Sequence, residues 1–96
     1  MTVGTLEDGI RADDQRLYGI VIRMFVKDHP PPHFHALYDE FRARVAIASG
    51  ELVDGELPPR AARLVREWTS VHRAELEANW ERAERMEAIQ PLEPLP

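Results

Sequence analysis

The sequence predicts an α+β domain: a small antiparallel sheet of three or four strands, followed by a long C-terminal helix, unbroken or broken once, packed on one face. Three observations carry this reading. Apolar residues alternate with a period of two along stretches between Leu17 and Ala48. Proline, glycine and acidic residues separate those stretches at 28–32, 39–40 and 49–50. From Arg60 to Gln90 apolar positions recur at helical spacing with no glycine or proline among them. A chain of 96 residues has material for one core, which sets a single domain at 17–90, a flexible lead at 1–16 and an extended tail at 91–96.

The lead mixes Gly, Thr, Asp and Glu without a period. The first strand is expected from Leu17 to Lys27, with Tyr18, Ile20, Ile22, Met24 and Val26 facing the core and Val21, Arg23 and Phe25 on the other side. Three prolines at 30–32 cannot donate to a ladder and make a stiff connection. The second strand, His33 to Tyr38, turns Phe34, Ala36 and Tyr38 inward and His33, His35 and Leu37 outward. The third, Phe41 to Ala48, sets Ala43, Val45 and Ile47 against Arg42 and Arg44, and Glu51 to Val53 can add a short fourth. Pro58-Pro59 suits a first helical turn, and the helix from Arg60 can break near His72. His72 and Asn79 fall inside its apolar stripe, where they need partners.

With 44% hydrophobic and 30% charged residues the composition is that of a folded globular protein. There is no cysteine, which excludes disulfides, thiolate metal sites and a cysteine nucleophile. A net charge of −5 argues against bulk attraction to nucleic acid, though a local basic face is compatible with it. No apolar run reaches the length of a signal core or a membrane span, so a cytoplasmic protein with no membrane partner is expected.

If the strands form a meander, the sheet face away from the helix gathers Arg23, His33, His35, Arg42 and Arg44. Arginine forks match phosphate or carboxylate oxygens, and histidine moves protons near neutral pH. The candidate catalytic residues are therefore His33, His35 and His72, with Arg23, Arg42 and Arg44 as anion-binding residues. The bland alternative is that outward strand faces carry arginine for solubility. His33-x-His35 on a strand can also chelate a divalent metal such as zinc, with His29 as third ligand, or Asp28 or another residue brought in by folding. Against that stands a purely structural role for histidines bonded to backbone.

Tyr18-Gly19-Ile20-Val21-Ile22-Arg23-Met24, Asp28-His29, Pro31-Pro32-His33-Phe34-His35-Ala36, Gly55-Glu56-Leu57-Pro58-Pro59-Arg60-Ala61, Glu67-Trp68, His72, Glu75-Leu76 and Asn79-Trp80 closely resemble a small prokaryotic family, the domain of unknown function 4160 (DUF4160). The lead before Tyr18 is longer than in that pattern, and the turn holds one extra proline. The resemblance brings no established activity. It implies a gene neighbourhood shared with another small protein, the domain of unknown function 2442 (DUF2442), in pairs proposed as toxin and antitoxin. A bacterial protein-interaction module is thus one expectation, binding a DUF2442-like partner or itself through Val21, Phe25 or Trp80. The other is a metal- or histidine-dependent hydrolase, such as a nuclease, acting on a phosphate-bearing substrate. Two histidines and an arginine around one concavity would favour the second.

Overall fold

The computed structural model describes residues 11–93, with side chains from Tyr18 onward. Residues 1–10 of the expected lead and 94–96 of the expected tail lie outside the described residues. Among the described residues five strands precede one helix: β1 Arg11–Leu17, β2 Ile20–Phe25, β3 His33–Tyr38, β4 Phe41–Ala46, β5 Leu52–Gly55 and α1 Pro59–Glu84. The strands lie in chain order as one antiparallel meander, β1-β2-β3-β4-β5. The α+β class and the order of sheet then helix are as expected, and the strands read from the sequence correspond to β2 to β5.

β1 is additional. Residues 11–16, taken from their polarity as lead, continue into Leu17 as a strand that folds back on β2 through a two-residue hairpin at Tyr18-Gly19, where Leu17 pairs with Ile20. Both turn residues have positive φ, +52° and +82°, the conformation that tight hairpins need to match strand twist. Tyrosine does not advertise that conformation, so Tyr18-Gly19 reads as strand interior when it is the corner.

At the other edge, Gly55 pairs with Ala43 at φ +83°, and a Cβ there would lie 2.3 Å from the Arg42 carbonyl oxygen. Only glycine lets β5 approach β4 this closely.

The alternation in β2 to β4 places Ile20, Ile22, Met24, Phe34, Ala36, Ala43 and Val45 on one face, all buried. α1 covers that face with Ala61, Val65, Trp68, Leu76, Trp80 and Ala83. Trp68 meets Phe34 edge-on, ring centroids 5.9 Å apart. The helix breaks at His72, whose φ and ψ are −111° and 20°.

Its far end is fastened twice. The Lys27 N–H donates to the Ala83 carbonyl (3.2 Å), tying the β2–β3 connection to the helix terminus. Beyond the helix the chain turns back along it. Asn79 donates to the Gln90 carbonyl (2.9 Å) and accepts from the Gln90 N–H (2.8 Å), while the Trp68 indole donates to the Glu93 carbonyl (2.9 Å). Leu92, from the stretch expected to be an extended end, is buried by this return. No helix among the described residues is long and apolar enough to cross a membrane.

Candidate functional site

The face of β2 to β4 turned away from α1 forms the floor of a groove of about 570 Å³. Strand register assembles it. Arg23 stands opposite His35, His35 opposite Arg44, and Arg44 opposite Asp54, so one row crosses four strands. Arg42 lies two residues along β4, and Phe25 and Leu37 supply apolar wall. Phe25 packs edge-on against His35 with ring centroids 4.6 Å apart. The period-two reading therefore places Arg23, His35, Arg42 and Arg44 on one surface, as expected.

The β2–β3 connection closes one end of the groove and brings Asp28 to both strand histidines. His35 Nε2–H donates to Asp28 Oδ2 (3.1 Å), and the His29 backbone N–H donates to Oδ1 (2.8 Å). Burial by itself would raise the Asp28 carboxyl, but these two bonds and the nearby imidazoles outweigh it and hold the group below its usual 3.8. Burial drives His35 down by more than its bond to Asp28 raises it, leaving the imidazole below its usual 6.5. The two shifts describe one state: a neutral His35 donating to an ionised Asp28.

His33 differs from its expected place. Strand parity turns it outward, yet it is buried, with Trp80 of α1 packed beside it at 5.3 Å between centroids. Its Nδ1 lies 2.9 Å from the Pro31 carbonyl, and a carbonyl only accepts, so Nδ1 carries the hydrogen. Nε2 then points toward Asp28 Oδ2 at 3.0 Å, and no hydrogen bond forms there.

Two expectations about other histidines need revising. His29 is exposed at the groove rim; its ring does not join His33 and His35, and Asp28 takes the third corner, with ligand atoms of Asp28, His33 and His35 all within 4.8 Å of one another. His72 is not in the groove. It sits on the helical side of the sheet beside Trp68, 5.4 Å between centroids, with Nδ1 bonded to Glu75 at 2.6 Å.

Sequence reasoning also missed Asp54. It binds Arg44 through both Nε (3.0 Å) and Nη2, and those bonds hold its carboxyl below the usual range. The Asp54-Gly55 pair signals a strand end; that this end lies opposite Arg44 depends on the register shift between Arg44 and Val45.

The family described as Domain of unknown function (DUF4160) matches residues 19–81, a span that holds the β2–β3 connection, β2 to β5 and most of α1. Neither a curated protein nor a solved structure matches the chain.

Proposed function

The chain belongs to the DUF4160 family, and from that premise we propose a function read from the groove: hydrolysis of a phosphate-bearing substrate, with the arginines holding the anion and the histidine cluster handling the proton. The observation that carries this is the row Arg23, His35, Arg44 beside Asp28, all lining one concavity. Guanidinium groups spread over two strands suit the several oxygens of a phosphoryl group and oppose the charge that develops on them during transfer.

Hydrolysis requires a water oxygen to bond to phosphorus while a base takes its proton, the ester P–O bond breaks and the leaving oxygen is protonated. A neutral His35 suits the base. With Nε2–H fixed on Asp28, the other ring nitrogen is the acceptor, and the depressed pKa keeps it unprotonated near neutral pH. Asp28 stabilises the imidazolium that forms.

The interaction-module reading draws less support. Phe25 lies against His35, Trp80 is only 7% exposed and Val21 is half-buried, so these three do not make a broad apolar patch for a partner.

The test is turnover of bis(p-nitrophenyl) phosphate and cleavage of a labelled single-stranded RNA by the purified chain. Wild type should be active, His35→Ala should lose about 100-fold or more in kcat, and Arg42→Ala should act mainly on KM. Wild type inactive on both substrates, or His35→Ala as active as wild type, rejects the proposal.

A further inference from the structure

We infer that Asp28, His33 and His35 form a binding site for one divalent transition ion of the zinc or iron(II) class, with its open positions toward the groove. The assignment rests on three features of the cluster. The first is the ligand set. Two imidazole nitrogens and one carboxylate oxygen suit borderline ions, and that trio leaves coordination positions for water or substrate.

The second is spacing. Asp28 Oδ2 is 3.0 Å from His33 Nε2 and 3.1 Å from His35 Nε2. Adjacent ligands of an ion with bonds of about 2.0–2.2 Å stand roughly 3.0–3.5 Å apart, so both contacts have the separation of neighbouring ligands.

The third is the state of His33. Its side chain is only 4% exposed, and among the described residues its Nε2 is the buried side-chain polar atom without a hydrogen bond. The Pro31 carbonyl holds the hydrogen on Nδ1, so Nε2 is the ring atom left to face the Asp28 carboxylate oxygen, 3.0 Å away. A buried ring nitrogen without a hydrogen bond, facing a carboxylate oxygen, is a position that a shared cation satisfies. An imidazole that gives one N–H to a backbone carbonyl while its other nitrogen is bare is also how histidine ligands are usually oriented. His35 is braced in its turn by Phe25.

Asp28 and His35 line the groove while His33 lies beneath, so the buried side of such an ion is occupied by protein and its exposed side faces Arg23 and Arg44. The inference deepens the hydrolase reading and depends on it only for the ion's use. With an ion bound, the hydrogen of His35 would shift from Nε2 to Nδ1, so that His35 would serve as ligand in place of base and the ion would supply the nucleophile by lowering the pKa of its own bound water.

The experiment is a cobalt(II) titration of the whole chain, free of any affinity tag, followed by visible absorption and by competition with zinc. The expected result is one cobalt(II) per chain, displaced by one zinc, with affinity at least 10-fold weaker in both His35→Ala and Asp28→Asn and unchanged in His29→Ala. Circular dichroism establishes that each variant is folded. Asp28→Asn, at a half-buried position, serves if His35→Ala does not fold. No cobalt(II) bound by folded wild type overturns the inference, as does binding that neither variant weakens or that His29→Ala abolishes. Phosphodiester hydrolysis without stoichiometric metal would overturn the site and leave the hydrolase standing; metal binding without hydrolysis would do the reverse.

Discussion

His33 Nε2 stands 3.0 Å from Asp28 Oδ2 and makes no hydrogen bond to it. Both atoms are fixed from behind, one by the Pro31 carbonyl and the other through the bonds of Asp28 to His29 and His35. The cluster is assembled in the native state alone, so a cation that binds there stabilises the fold. Zinc at 100 times its dissociation constant should add about 2.7 kcal/mol to unfolding, and excess chelator should remove it. Calorimetric scans with and without zinc measure this; an unchanged Tm counts against the site.

The metal-free protein should lose stability as acid is added. His35 and Asp28 both have folded pKa values below their ordinary 6.5 and 3.8, so the unfolded chain takes up each proton first. The contribution of His35 is complete above about 6.5 and is lost as pH falls through the lower folded value; that of Asp28 follows the same course below 3.8. Urea unfolding in chelator from pH 7.5 to 5 should show stability falling toward acid in wild type and falling less steeply in His35→Gln. Equal slopes would contradict the assigned protonation states.

Arg44 is held by Asp54 at the groove wall. Asp54→Asn removes the competing anion and one negative charge beside the row. Inorganic phosphate should bind several-fold tighter, with thermal unfolding nearly unchanged because the pair is exposed. Weaker phosphate binding in this variant, measured by calorimetric titration, would mean that Asp54 orients Arg44 for the anion instead of competing for it.

Gly55→Ala should destabilise by more than about 1 kcal/mol. The added carbon meets the Arg42 carbonyl at 2.3 Å and the Ala43 Cα at 2.6 Å, both backbone, and the residue keeps φ at +83°. The urea midpoint reports it, and a loss no larger than that of an exposed surface alanine would show that β5 can move aside freely.

Asn79→Ala should cost about 2 kcal/mol, since it deletes both bonds to Gln90 and one from Arg82 (2.8 Å). Hydrogen exchange at the Gln90 amide should accelerate with it. An unchanged exchange rate would mean that Leu92 and the Trp68 bond hold the return segment alone.

The parts of the fold that depend on period were legible. Ile20, Ile22 and Met24 alternate, as do Phe34 and Ala36, and each set is buried as the spacing requires. The break at His72 was one of two readings that the spacing allowed, the other being an unbroken helix. What spacing could not reveal depends on where elements end relative to one another. Polar β1 is recruited by a turn whose first residue is tyrosine, and β-propensity has nothing to say about that. His33 is covered where α1 lays Trp80 against it, and Asp28 rather than His29 reaches the cluster because of the path taken by the connection between β2 and β3. For the site, alternation identified the anion-friendly face, and tertiary placement decided which histidines share it.

β3 carries two unrelated tasks on interleaved residues, Phe34 and Ala36 for the core and His35 and Leu37 for the groove. Substitutions at the second set can therefore vary the chemistry while the interior keeps its shape, and substitutions at the first can tune stability without touching the ligands. A change in length has no such freedom. One residue inserted after Phe34 would move His35 into the hydrophobic interior and expose Ala36 to the groove, so both tasks would fail together. Among natural relatives this strand should keep its spacing.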